Sequence, residues 1–135
     1  MSLSTLGAVE VRALLGHVAR WLANLRRAGD ARKRESVAAL RDVIVAVRRT
    51  SAYLRTRGDA PSLEVEQALS ETWTRLGFRL RDLGVEALAK RCDVSGRHWA
   101  DPASLDADFL EKADVSLASI ERLALLLLQE HDPRR

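Results

Sequence analysis

Residues 34–56 read RESVAALRDVIVAVRRTSAYLRT, and two periodicities inside this stretch decide the fold class. Val37, Leu40, Ile44, Val47, Ser51 and Leu54 recur at alternating three- and four-residue steps. That is the a/d pattern of an amphipathic helix with one face turned to a core, and Ser51 is its one weak position. Arg34, Arg41, Arg48 and Arg55 recur in steps of seven. With Val37 at position a, these arginines fall at e, on the margin of the core stripe, spaced about 10.5 Å along the axis. Glycine and aspartate at 29–30 and the run Gly58-Asp59-Ala60-Pro61-Ser62 bound the segment, so the spacing predicts a helix from about Ala31 to Arg57.

Working outward, residues 3–28 carry Val11, Leu14, Leu15, Val18, Trp21, Leu22 and Leu25 at helical spacing, which predicts a first amphipathic helix. After Pro61 or Ser62 a third helix is expected to run to about Asp93, with Glu64 and Glu66 in its first turn complementing the helix dipole. Its core stripe is Leu69, Trp73, Leu76, Leu80, Leu83 and Ala87, and a second apolar column runs through Phe78, Val85, Leu88 and Cys92. Gly77 and Gly84 lie between the stripes. Each costs about 1 kcal/mol against alanine in a helix interior, which points to close approach of another backbone. A loop over Gly96–Asp101 then leads through Asp101-Pro102, an N-cap followed by a first-turn proline, into a short helix to about Ala113. The last helix runs from Ser116 to about Glu130 on Leu117, Ile120, Leu123, Ala124 and Leu127, with a boundary near Asp114 that the spacing leaves open. The expected fold is all-α, an antiparallel up-down-up-down four-helix bundle with a short extra helix before the last one. Residues 1–135 form one domain in this reading, and 131–135 are a frayed tail.

Composition agrees with that class. The chain has 135 residues, 47% hydrophobic and 30% charged, with only 4% aromatic residues and three prolines, a soluble globular mix rich in helix formers. One cysteine, Cys92, excludes an internal disulfide and any cysteine-rich zinc site and fits a reducing compartment. No signal peptide is visible in MSLSTLGAVEVR, and the leucine run 123–128 is far too short to span a bilayer. A cytoplasmic location with no membrane partner is expected.

The net charge is +3, with arginine far exceeding lysine. Over residues 31–57 eight basic side chains face two acidic ones, a net +6, so the remainder of the chain sums to −3. The candidate polyanion-binding residues are therefore Arg34, Arg41, Arg48, Arg55 and Arg49, a track for a phosphate backbone. The bland alternatives are a GC-rich coding bias and pairing across helices with Glu64, Glu66, Glu71, Glu86, Glu111, Asp114 or Glu121. Only Tyr53 interleaves with the arginines, so no stacking platform for single strands is indicated. A candidate protein interface is formed by Phe78, Val85, Leu88, Gly77, Gly84, Leu125 and Leu126. If the short 102–113 segment, with Leu105, Phe109 and Leu110, leaves the second apolar column open, that column is a surface for a partner or a second copy.

Catalytic and metal signatures are thin. There is no phosphate-binding loop, no G-x-G-x-x-G and no G-x-S-x-G, and the Glu-x-x-His pairs of a di-iron bundle are missing. Cys92, Asp93 and His98 make a poor three-ligand set, so no cofactor and no metal is expected. Trp99 in the RHW stretch reads as a lid on one end of the bundle, and His131 falls in the tail. Arg12-Ala-Leu-Leu-Gly-His17 and Arg91-Cys-Asp-Val-Ser-Gly-Arg-His98 fit R-x4-H and R-x6-H. This pattern resembles that of the HEPN ribonucleases, themselves small helical bundles, and the resemblance implies RNA cleavage by those pairs. On a regular helix Arg12 and His17 stand about 140° apart, and an alanine follows Arg12 where that family commonly has a polar residue. The expected function is thus a non-enzymatic helical accessory subunit acting through a protein partner or self-association. Second comes a nucleic-acid-binding subunit using the basic helix, similar in size and charge to the small helical subunits of RNA-guided complexes, and a HEPN-like ribonuclease is a distant third.

Overall fold

A computed structural model describes residues 19–20 and 29–131. Apart from Ala19 and Arg20, the first predicted helix, with its Arg12–His17 pair, lies outside the described residues, as does the tail 132–135. Among those described, every regular element is helical. These are α1 (Asp30–Thr56), α2 (Leu63–Asp82), α3 (Glu86–Ala100), a 3-10 turn (Pro102–Ser104), α4 (Ala107–Ala113) and α5 (Leu117–His131). One core collects side chains from four of them: Leu40, Val43 and Val47 of α1, Leu69, Trp73 and Leu80 of α2, Leu88 and Cys92 of α3, and Ile120, Ala124 and Leu127 of α5.

The predicted third helix is in fact two. It breaks at Gly84, whose φ of +83° lies in the left-handed region. There the Val85 N–H donates to the Leu80 carbonyl at 2.9 Å and the Gly84 N–H to the Arg81 carbonyl at 3.0 Å. This pair of bonds is the Schellman arrangement, in which a glycine ends a helix and the apolar residue after it folds back on the last turn. Val85 and Leu80 are indeed both in the core. Gly84 is therefore a stop signal and not an interior helical glycine.

The break turns α2 and α3 into a tight antiparallel hairpin. A Cβ added to Gly77 would meet the Asp93 backbone nitrogen at 3.2 Å and the Ala89 carbonyl oxygen at 3.3 Å. About one turn away, a Cβ on Gly96 would strike the Thr74 hydroxyl and stand 2.9 Å from the Thr74 backbone nitrogen. The Ser70 hydroxyl donates to the Gly96 carbonyl at 2.8 Å, closing the same contact. Gly77 thus marks close backbone approach, as its position between two apolar stripes suggested, and the second backbone comes from the same chain.

Helix α3 also continues through the expected loop at Gly96 and ends only at Ala100. Trp99 is accordingly a helical core residue and not part of a loop; its ring meets Tyr53 edge-on at 5.9 Å. Asp101 caps nothing with its side chain, and Pro102 opens a single 3-10 turn. The side-chain cap of the short helix is Asp106, which accepts from the Phe109 N–H at 2.7 Å. Asp114, at φ +49°, separates α4 from α5, and Ser116 accepts from the Ser119 N–H at 3.2 Å at the start of α5.

Helix α1 runs antiparallel to α2, joined to it at four levels. The Tyr53 hydroxyl donates to Glu66 Oε2 at 2.6 Å and accepts from the Ser62 N–H at 2.9 Å. Trp73 Nε1 donates to the Thr50 hydroxyl at 3.0 Å. Arg79 pairs with Asp42 at 2.6 Å, and Arg32 reaches the Asp82 carbonyl at 3.4 Å. On its other flank α1 packs against α5.

Candidate nucleic-acid interface

Which way the arginine column faces depends on which residues of α1 are buried. They are Ser36, Ala39, Leu40, Val43, Ala46, Val47 and Thr50. Leu40 and Val47 belong to the predicted stripe; Val37, Ile44 and Ser51 are only half-buried and Leu54 is exposed. The core face is rotated because two hydroxyl residues can be buried at little cost. Ser36 donates to the Arg32 carbonyl at 3.0 Å and Thr50 to the Ala46 carbonyl at 2.8 Å, which satisfies both within the helix. Ala39 and Ala46, for their part, let neighbouring helices come close.

The rotation changes the position of every arginine in the column. At 100° per residue, and taking Val43 as the centre of the buried face, Arg34 points about 180° away, Arg41 about 160°, Arg48 about 140° and Arg55 about 120°. They occupy heptad position f, the outermost, and not e. All four, and Arg49 beside them, are exposed. Between them lies a second column in the same seven-residue step, Ala31, Ala38, Val45 and Ala52. Val45 is 54% exposed in the middle of this face.

Pairing with acidic neighbours takes up little of the column. Among the described residues Arg48 alone reaches a carboxylate, Glu121 of α5, at 3.7 Å with its side chain 74% exposed. Such a long, solvated contact is a weak one. Three of the other expected partners are engaged elsewhere, Glu66 by Tyr53, Glu71 by Arg75 at 2.8 Å, and Asp114 by the hydroxyls of Ser116 and Ser119, while Glu64, Glu86 and Glu111 make no ion pair with the column. Asp42 belongs to Arg79. Among the described residues Arg34, Arg41, Arg49 and Arg55 have no ion-pair partner, so the face is a line of like charges about 32 Å long, from 21 residues at 1.5 Å each.

The candidate protein interface comes apart in the structure. Val85 and Leu88 are core residues, and Gly77 and Gly84 serve the α2–α3 hairpin. Phe78, 56% exposed, stays outside on α2; Leu125 is exposed and Leu126 half-buried on α5. The second apolar column was therefore divided between core and solvent once the helix broke at Gly84.

Arg91 and His98 both lie on the unbroken α3. Seven residues separate them, which puts them on one side of the helix but two turns, about 10.5 Å of axial rise, apart. The helix end predicted near Asp93 is absent, so the chain does not fold back between them. Arg91 Nε and His98 Nδ1 are each buried without a hydrogen-bond partner, and the His98 ring lies edge-on to Trp99 at 5.4 Å. The Cys92 thiol is fully buried, and loss of solvation pushes it up to about 12, which makes it a poor nucleophile or ligand. Among the described residues no three His, Cys, Asp or Glu side chains converge as a metal site would require. No helix among them is long and apolar enough to cross a membrane.

Comparison with protein-family models, characterised proteins and solved structures finds no match.

Proposed function

We propose that this chain is a non-enzymatic binding module whose working surface is the outer face of α1, and that its ligand is a polyanion with the phosphate backbone of a nucleic acid as the target. The observation that carries the reading is the placement of Arg34, Arg41, Arg48 and Arg55 opposite the core with one weak ion pair among them. A column of exposed like charges contributes nothing to folding and repels itself, and a bound polyanion converts that repulsion into affinity. Arginine suits the task, because it is charged at every working pH and its N–H groups donate to phosphate oxygens.

This ordering reverses the expectation that a protein partner would come first. The face meant to hold that partner has lost Val85 and Leu88 to the core, whereas the arginine face has moved from the margin of the bundle to its outside. Fluorescence anisotropy with a mixed-sequence nucleic acid at low salt tests the proposal. Wild-type protein is expected to bind, and the Arg41→Glu, Arg48→Glu variant to lose binding while keeping its helical circular dichroism. Undetectable binding by wild type, or unchanged binding by that variant, contradicts it.

A further inference from the structure

The α1 face has a shape as well as a charge, and the shape narrows the ligand. Resting on the phosphate-binding reading above, we infer that the preferred ligand is a double-stranded nucleic acid, held along its backbone without regard to sequence. Four features carry this inference.

First, the array is rigid and linear: a helix of 27 residues without an internal glycine or proline, anchored on one flank by α2 and on the other by α5. It cannot wrap a flexible strand. Second, a duplex offers one charge per about 1.7 Å of axis against about 3.4 Å for one strand, so a fixed line of arginines meets twice the charge on it. Third, a single strand would have to make up the difference by stacking bases on aromatic rings. The face offers none, because the one aromatic residue of α1, Tyr53, is held by Glu66, Ser62 and Trp99.

Fourth, the residues beside the arginines are small. Ala31, Ala38, Val45 and Ala52 leave the surface flat, so that a stiff cylinder can approach to the reach of the guanidinium groups. Helix α1 contains no asparagine or glutamine, the side chains that read adenine edges. With α2 and α5 packed on its two flanks, α1 lies against phosphates and does not enter a groove as an isolated recognition helix does.

The test compares, at one low salt concentration, a 20-base-pair mixed duplex, its two separate strands, a second duplex of unrelated sequence, and vesicles of phosphatidylglycerol. The expected result is at least about tenfold tighter binding to the duplex than to either strand, with the two duplexes agreeing within about twofold, as backbone contacts require. Arg41→Gln with Arg48→Gln should weaken duplex binding at least about tenfold, and Arg→Lys at both sites should restore most of it, since point charges suffice for this contact. Equal affinity for strand and duplex overturns the duplex inference while leaving the polyanion reading intact. Strong discrimination between the two duplexes overturns the claim of sequence neutrality. Binding to the vesicles but to no nucleic acid overturns both this inference and the reading beneath it.

Discussion

The Thr50 hydroxyl sits at the hinge of the α1–α2 contact, accepting from Trp73 Nε1 at 3.0 Å and donating to the Ala46 carbonyl at 2.8 Å. Both Thr50 and Trp73 are buried, so the indole N–H has no recourse to water. Thr50→Val keeps the volume and removes the acceptor; the stranded donor should cost about 1–3 kcal/mol, read as a lower urea midpoint. Thr50→Ser keeps the acceptor and should lose less. Cys92 supplies a second residue-scale test. Its thiol, raised by burial from 9.0 to about 12, stays protonated in the folded chain at pH values where the unfolded chain has ionised. The folded state then binds the extra proton, so stability falls as pH rises. The contribution is complete below about pH 9 and is lost between there and about pH 12. Alkylation of Cys92 at neutral pH should accordingly proceed only through unfolding, and its rate should rise with denaturant; labelling at the rate of a free thiol would contradict the burial.

At the scale of elements, two glycines control the hairpin that divides the predicted third helix. Gly96→Ala places a Cβ 2.9 Å from the Thr74 backbone nitrogen, and backbone cannot yield as a side-chain end can. Overpacking of this kind costs about 1–3 kcal/mol, so the variant should unfold at clearly lower denaturant than Gly77→Ala, whose nearest atom is at 3.2 Å. An equal midpoint for the two would mean that α2 and α3 are not in contact at Gly96. The break at Gly84 was legible in principle: Leu80, Gly84 and Val85 stand at the spacing of a glycine stop with an apolar fold-back. The matching seven-residue step from Gly77 to Gly84 hid it, because a heptad interval argues for continuity. Helix α1 was read within a residue of its ends, since glycine and aspartate punctuate both. Its core face was misplaced because Ser36 and Thr50 look polar in sequence, while in the helix each satisfies itself on a carbonyl one turn back. Predicted Leu123, Ala124, Ile120 and Leu127 do form the buried side of α5, where no such hydroxyl intervenes.

For the whole molecule, the charge map is legible in the sequence, but its direction is not. Net charge counted over residues 31–57 identifies a basic helix; only the buried set on α1 says that the arginines stand opposite the core. The same rotation that moved Ser36, Val43 and Thr50 inward moved Arg34, Arg41 and Arg48 outward. Of the acidic side chains elsewhere, Glu66, Glu71 and Asp114 have partners of their own, and Glu64, Glu86 and Glu111 do not reach the column. Among the described residues Glu121 alone reaches the column and acts as an internal competitor for Arg48, so Glu121→Gln is expected to tighten polyanion binding slightly, by less than about fivefold for a weak exposed pair. The central claim, that four arginines of α1 each meet a phosphate, is tested most directly by the salt dependence of duplex affinity. Four contacts give a slope of about −3.6 in log K against log salt, which is a loss of about two orders of magnitude between 50 and 200 mM, and Arg41→Gln with Arg48→Gln should halve that slope. A wild-type slope near zero, or one that the double substitution leaves unchanged, would contradict it.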